Sequence, residues 1–520
     1  MSESIEKSFA AIVKRIEELK VPVWVWGALG AVTTVSILRS LFRPPHDAKG
    51  YFAYPILGNL PQVGSVTRMA HYELESVLKH GYVTKSVLAG NEFLLTADPA
   101  IVKKILNTEM DDWGRGKGLA AFVFEDVAGG LIIQPNGQEW KETRKFFDPS
   151  FGVPSIKSYT PIIQGRMDKF LTWLDGQAKS SVNNIKGPGV PLENVLHGIT
   201  FDIIVMIVLG FDPDSISSGG HSRYVQAWEY VLKSLQERFP LAQTQYWKWM
   251  KTPAVRKYDR EYALLTNLVM DRRDHYLKNG VKSTDVDMMA QFVQKSKADA
   301  SSVPPPLTRE DREFCLHYVT MIFAGHDTTA SGSAWTFIFL AQNPEYKRRV
   351  YEEIKSLGSA PFTYEALESL PFLNAVVKET LRLRPSAPDL FRYMEKDKTY
   401  EWIDDEGVKR SHFVPKGCEQ GYQPYVIHMH PRNYDNPTKF DPDRWLDGRA
   451  KNYDQYAYVA FGGGPRRCLG EKLALYEIKT VVSTLLRAYD YELVEGSKPE
   501  FVNASTMRLK DGLYLNLKRR

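Results

Sequence analysis

Phe461-Gly462-Gly463-Gly464-Pro465-Arg466-Arg467-Cys468-Leu469-Gly470 decides how this chain of 520 residues is read. A glycine-rich turn runs into a helical pattern from Glu471 to about Arg487, and Cys468 stands at the junction. A thiol at a helix N-terminus meets the positive end of the helix dipole and free backbone N–H groups, and both favour the thiolate. Arg466 adds positive charge. The glycines at 462, 463, 464 and 470 remove side chains where something flat could approach the backbone. An anionic sulfur in such a turn suits a soft metal centre. The plain alternative is a small buried cysteine in an ordinary turn.

Composition narrows the field. Hydrophobic residues make up 43% and charged residues 25%, which excludes a mostly disordered chain. The 67 Lys and Arg against 62 Asp and Glu leave a charge of only +5, with no basic excess of the kind a nucleic-acid binder carries. The three cysteines, Cys315, Cys418 and Cys468, are too few and too far apart for a disulfide framework or a multi-cysteine zinc site, so a reducing compartment is the simpler reading.

A second stretch carries chemistry. Thr308-Arg309-Glu310-Asp311 looks like a capping box opening a long helix that runs through Phe314, Tyr318, Met321 and Ile322 to Ala324-Gly325-His326-Asp327-Thr328-Thr329. Gly325 costs roughly 1 kcal/mol against alanine inside a helix. Thr328 and Thr329 can bond back to carbonyls one turn earlier and bend it. A bulge or kink there would open a groove, Asp327 could hand protons to its occupant, and Thr328 could hold a water or peroxide. A polar helix face beside solvent is the alternative.

Together these segments resemble the cytochrome P450 family. Phe461, Gly464, Arg466, Cys468 and Gly470 match all five fixed positions of its haem-binding signature. The resemblance implies haem b (iron protoporphyrin IX) with Cys468 as axial thiolate ligand of the iron, Arg466 on a propionate, and Phe461 shielding the sulfur. Electron donation from the thiolate favours O–O cleavage. Ala324-Gly325-x-Asp327-Thr328-Thr329 resembles the family's oxygen-activation motif. It implies that Thr328 steadies the oxygen being reduced and that Asp327 feeds it protons. The pair favours a monooxygenase over P450-fold isomerases and dehydratases, which commonly lack it and need no external electrons. A non-catalytic haem or membrane-scaffold protein is the other alternative.

Further matches carry further implications. Glu379-x-x-Arg382 resembles the family's Glu-x-x-Arg motif, which implies a buried network with Arg444 that folds the haem-side core. Trp140-x-x-x-Arg144, at helical i,i+4 spacing, and Arg392 match propionate-binding positions. The expected fold is mainly α with small β-sheets, covering residues 43–520. Val83–Leu88 and Glu92–Thr96 read as a hairpin, Asp98 as a helix cap, and Lys295–Leu307 as a mobile surface loop.

Residues 1–20 precede an uncharged, largely apolar stretch. Within the segment 21–42, Val21 to Leu38 would span about 27 Å as a helix, close to a bilayer core. A single transmembrane anchor is expected; a buried core helix is the alternative. Basic residues on both sides leave its orientation open. The family resemblance implies an endoplasmic reticulum membrane anchor with the catalytic body facing the cytosol. It also implies O2 as cosubstrate and electrons from NADPH through cytochrome P450 reductase, with cytochrome b5 a further possible partner. Lys141, Lys145, Arg467, Lys472 and Lys479 are candidate docking cations.

Gly114-Arg115-Gly116-Lys117-Gly118 fails as a phosphate loop, and His428-Met429-His430 reads as a loop pair of histidines without further metal ligands. Gly116-Lys117-Gly118 and the approach to Trp140 look like the fatty-acid and alkane hydroxylase branch, whose fungal relatives include steroid hydroxylases. By family position the candidate pocket residues are Phe122, Phe124, Met321, Phe323, Leu390 and Thr506. The substrate implied is a lipophilic fatty acid, alkane or steroid.

Overall fold

The computed structural model describes residues 48–54, 58–88, 91–115, 124–181, 189–237, 251–298, 312–404, 406–503 and 506–520. The expected anchor at 21–42, the capping box at 308–311, Phe122 and Gly116 to Gly118 lie outside them. Among the described residues no helix is long and apolar enough to cross a membrane.

The helices that frame the site are α1 (Met69–His80), α2 (Gln138–Phe147), α3 (Thr160–Ser181), α4 (Glu193–Leu209), α5 (Arg223–Glu237), α6 (Pro253–Asn279), α7 (Met288–Ala298), α8 (Arg312–Gln342), α9 (Pro344–Ser356), α10 (Pro371–Leu383), α11 (Pro424–Met429) and α12 (Glu471–Ala488). In α4 nearly every residue from Val195 to Leu209 is buried, and α8 is apolar on most of its circumference. Helices of that kind belong inside a protein. The two pack along each other, and α12 and α10 close on α8 from another side. Their side chains form one continuous core that includes Ile204, Trp228, Phe337 and Leu485.

Strands β1 (Val83–Leu88), β2 (Asn91–Thr96), β3 (Trp113–Gly114), β4 (Val190–Pro191), β5 (Leu390–Met394), β6 (Lys398–Ile403), β7 (Lys409–Val414), β8 (Glu419–Tyr422), β9 (Tyr489–Leu493), β10 (Phe501–Asn503), β11 (Met507–Leu509) and β12 (Tyr514–Arg519) form four small sheets. The largest has the order β1-β2-β8-β5-β3. The hairpin expected from sequence is there, with Val83 opposite Thr96, and Asp98 caps the next helix by accepting from the Ala100 N–H at 2.8 Å. At the other edge β3 pairs antiparallel with β5, Gly114 opposite Tyr393.

Two expectations need correction. Residues 295–298 complete α7 and are not loop; the rest of that stretch lies outside the described residues. The helix α8 continues without a break through Gly325 and the threonines. Gly325 has a packing reason instead: a Cβ there would lie 2.7 Å from Ile204 Cγ1 on α4.

Candidate active site

The cysteine turn is built by backbone geometry. Gly464 has φ +61°, and a Cβ on it would stand 2.0 Å from the Leu106 carbonyl oxygen. No other residue fits, so this glycine admits a neighbouring backbone and not a flat ligand. A short 3-10 turn, Gly464–Arg466, follows, and the Cys468 N–H donates to the Phe461 carbonyl at 2.9 Å. Glu471 opens α12 three residues later, with Gly470 at its cap.

The thiol does not ionise as the sequence suggested. The Cys468 side chain is exposed, yet protein crowds it on its other sides. Burial pushes the thiol up to about 11. The Gly470 N–H and the charges of Arg144 and Arg467 oppose that rise without cancelling it, and Glu471 adds to it. Arg466 is turned elsewhere. Its guanidinium lies over the Trp140 ring, 3.9 Å from the centroid, and donates to the Gln134 carbonyl at 2.8 Å and to Asn136 Oδ1 at 2.7 Å.

Around that arginine the charges are one-sided. Arg392, on β5, is buried and bonds only neutral oxygens, the Phe391 carbonyl and the Tyr422 hydroxyl. Continuing the β3–β5 register sets Arg115 opposite Arg392, and like charges facing each other across a ladder repel. Arg115 donates to the Ile132 carbonyl, and its buried Nε has no acceptor. Burial, then Arg392, Arg466 and Arg144, hold its proton affinity well below that of an ordinary arginine. The same causes bring Arg466 down to about 9. Three guanidiniums thus converge with no carboxylate among the described residues bonded to them. Arg144, on α2 with Trp140, is engaged with Asp148 at 2.7 Å and the Arg467 carbonyl at 2.8 Å, so it braces the cysteine turn.

On α8, Asp327 is fully buried. Arg508 of β11 donates to its Oδ1 from Nη2 at 2.6 Å and Nε at 3.0 Å, and the Thr506 hydroxyl donates to Oδ2 at 2.8 Å. Burial raises the Asp327 carboxyl, but Arg508 outweighs it and holds the group well below the usual carboxylate range. The Thr328 hydroxyl donates to the Ala324 carbonyl one turn back at 2.7 Å, and the Ser386 hydroxyl donates to the Thr328 carbonyl at 2.7 Å.

Half-buried Phe124 and Phe323 stack with centroids 6.4 Å apart, and Trp228 of α5 lies 6.1 Å beyond Phe323. Leu390 is half-buried on β5, whereas Met321 is buried in the helical core. Glu379, Arg382 and Arg444 meet as expected. Both Glu379 oxygens accept from Arg382, at 2.8 and 2.9 Å; Oε1 also accepts from Arg444 and the Asp441 N–H, and Oε2 from Trp445.

One surface reading fails. Lys479 is buried against Glu368 and Asn374, so it is no docking cation; Arg467 is exposed and paired with Glu471. Lys141, Lys145 and Lys472 are exposed. His428 belongs to α11 and not to a loop; it takes the Val459 N–H on Nε2 at 2.9 Å and faces the Arg382 carbonyl at 2.9 Å. Cys315 and Cys418 are buried, in keeping with a structural role. Among the described residues no cluster of three His, Cys, Asp or Glu side chains has the geometry to hold a metal ion.

The family profile described as Cytochrome P450 matches residues 49–517. The chain belongs to the cytochrome P450 family. It is a P450 monooxygenase, of a family that works with thiolate-ligated haem and O2. Cytochrome P450 97B2, chloroplastic, of Glycine max is 27% identical over 481 residues, covering 85% of this chain and 82% of that protein. Cytochrome P450 4d1 of Drosophila simulans is 27% identical, covering 92% and 90%. Cytochrome P450 4V2 of Rattus norvegicus is 26% identical, covering 88% and 81%. For a P450 the residues present fit the prosthetic group. A metal deprotonates a coordinating thiol outright, which a thiol poised near 11 needs. Three uncompensated guanidiniums need an anion with more than one charge.

Sequence reasoning passed over Arg115 and Arg508. Arg115 sat inside a stretch rejected as a phosphate loop, and the failed motif hid the residue. Arg508 carries no local signal.

Proposed function

We propose that this P450 is a haem-thiolate hydroxylase of a lipophilic small molecule, a fatty acid, alkane or steroid. NADPH–cytochrome P450 reductase supplies the electrons. The observation that carries the haem assignment is the convergence of Arg115, Arg392 and Arg466 with no acid bonded to them among the described residues, beside the cysteine turn. The two propionates would be held by those guanidiniums, and Cys468 would ligate the iron. Bound haem supplies O2 activation, one atom going to substrate and the other to water. This chain's residues do the rest. Trp140 supports the Arg466 guanidinium, Arg144 braces the cysteine turn, and Asp327 with Thr328 manages protons. Phe124 and Phe323 form an apolar wall, which supports a hydrocarbon substrate and excludes water from it.

A membrane anchor at 21–42, on the endoplasmic reticulum with the body in the cytosol, gives such a substrate a route from the bilayer. Exposed Lys141, Lys145 and Lys472 present cations to an acidic reductase or cytochrome b5. The test is a panel of fatty acids, alkanes and steroids with a matched reductase and product mass spectrometry. A product carrying one added oxygen, dependent on NADPH and lost in Cys468→Ala, is expected. Turnover without NADPH, or a thiolate spectrum surviving Cys468→Ala, overturns the reading.

A further inference from the structure

Asp327 cannot deliver a proton in the arrangement observed, because it does not hold one. Its carboxylate is clamped by the bidentate contact with Arg508 and by Thr506. The surroundings of that clamp hold further acids that could carry one. Arg508 faces two further carboxyl groups, Glu193 at the start of α4 and Glu229 on α5. Both are half-buried. Glu193 and His197 are one helical turn apart on α4 and so share a face. His197 Nδ1 lies 3.4 Å from Asp327 Oδ1 and 3.3 Å from His326 Nε2. The other nitrogen of His326, Nδ1, is buried without an acceptor or donor. Among the described residues Arg508 is thus set among three carboxyl groups, with two buried imidazoles, His197 and His326, beside the acid on α8.

We propose that Glu193 is the proton store for Asp327, that His197 relays the proton, and that Arg508 is the gate which moves from Asp327 toward Glu193 as the proton moves the other way. The exchange balances. The Glu193 carboxyl gives up its proton and becomes a carboxylate. His197 takes a proton on one nitrogen and releases one from the other. The Asp327 carboxylate becomes the carboxylic acid, and Arg508 remains charged throughout. The total charge of the cluster is unchanged, so the low-dielectric interior opposes the step far less than a lone proton transfer.

The titration of these groups agrees with the assignment. Burial pushes Glu193 up to about 7, against the opposing pull of Arg508 and the Leu509 N–H, with Asp327 and Glu229 raising it further. Burial also raises Glu229, which faces Arg508, His221 and Asp327. Burial and then Arg508 lower His197 to about 4 against the pull of Asp327, so its resting imidazole is neutral and free to relay. His326 is held neutral by burial and by His197. Of the groups around Arg508, Glu193 combines a proton at neutral pH with partial contact with solvent, from which it can be refilled.

The inference rests on the proposed proton role of Asp327, and the experiment separates the two. Infrared difference spectra of the purified protein between pH 5 and 9 read carboxyl protonation directly. A protonated-carboxyl band titrating near neutrality in the wild type and absent from Glu193→Gln is expected. With reductase and substrate, Glu193→Gln should lower product formed per NADPH about tenfold, with the electrons diverted to peroxide and with substrate affinity unchanged. Glu193→Asp should restore part of the loss. Asp327→Asn should uncouple as strongly. If Asp327→Asn uncouples and Glu193→Gln does not, the gate is overturned and the role of Asp327 stands. If Asp327→Asn couples normally, the proton role itself fails. A neutral-range band that survives in Glu193→Gln overturns the store whatever the turnover shows.

Discussion

The guanidinium of Arg466 rests on the face of Trp140, 3.9 Å from the ring centroid, and both belong to a cluster with more positive charge than its neighbours can balance. Cation–π contact and carbonyl acceptors hold the arginine in place, but neither neutralises it. A protein keeps such an arrangement when a ligand completes it, and in the proposed reading the haem propionates would do so.

That relationship predicts effects of opposite sign on the two forms of the enzyme. Replacing Arg115 by Gln removes a repulsion with Arg392 and Arg466 in the haem-free protein and removes an attraction in the haem-bound one. The haem-free variant should unfold at the same temperature as wild type or higher. The haem-bound variant should lose its haem to a competing apoprotein about tenfold faster, the equivalent of one charge-assisted hydrogen bond. Equal retention of haem in variant and wild type counts against Arg115 as a propionate contact.

The network around Glu379 predicts a large stability effect with no direct effect on chemistry. Its two oxygens serve two buried guanidiniums, an indole and a backbone N–H. Glu379→Gln leaves Arg382 buried without its counter-charge and Arg444 with only the more distant, exposed Asp435, 3.4 Å away. The expected cost is about 3–5 kcal/mol, seen as a lowered denaturant midpoint and poor haem incorporation. A shift below about 1 kcal/mol, the worth of an exposed pair, would mean that the network is solvated in solution.

What the sequence disclosed and what it hid follow one division. Local geometry was legible: the turn before Cys468, the helical face shared by Trp140 and Arg144, the Asp98 cap and the β1–β2 hairpin all depend on residues close in the chain. The sign of the Cys468 shift was not, because the helix N-terminus is a local feature and the burial that outweighs it is not. Arg115 became visible only through the β3–β5 register, and the ion pair of Asp327 only through a strand near the C-terminus. The expected bulge or kink in α8 rested on Gly325 and on the threonines bonding back one turn; Thr328 does bond back to Ala324, yet the helix runs unbroken, and Gly325 is small because α4 packs against it.

Proton uptake on unfolding gives a pH prediction. Burial, then Arg382, lowers the His428 imidazole to about 3, although the Arg382 carbonyl opposes this. The unfolded chain takes up a proton there near 6.5 and the native protein does not, so the contribution is fully present above about pH 6.5 and falls away as the pH drops toward 3. The slope is about 1.4 kcal/mol per pH unit for this group. His428→Gln should be less stable at neutral pH, through its altered bonds to Val459 and Arg382, and its stability should fall less steeply between pH 6 and 4. Parallel curves in denaturant titrations would show that His428 is protonated in the native state.

The Cys468 thiol should be sluggish before haem enters. With burial holding it near 11, alkylation of the haem-free protein should rise about tenfold per pH unit through neutrality without levelling off below pH 10. A plateau near pH 8 would mean that the helix N-terminus, and not burial, governs the sulfur. Cys315 and Cys418 are buried and serve as slow internal references, each assigned through its own single alanine variant.

Gly325 offers a test of how α8 is seated. In an isolated helix Gly→Ala is worth about 1 kcal/mol in favour of alanine. Here the new Cβ would lie 2.7 Å from Ile204 Cγ1 and 2.8 Å from Cδ1, inside the contact distance of two methyl-sized groups. Ile204 is itself buried in the core shared by α4 and α8, so it has little room to turn away. Overpacking of this kind costs about 1–3 kcal/mol, enough to cancel the propensity gain and leave Gly325→Ala less stable than wild type. Ile204→Ala removes both offending carbons, and in that background Gly325→Ala should be stabilising. The double-mutant cycle should therefore show a coupling of at least about 1 kcal/mol between the two positions. Additive effects would mean that the α4–α8 contact yields, and that Gly325 is small for the sake of the groove beside Asp327 and Thr328.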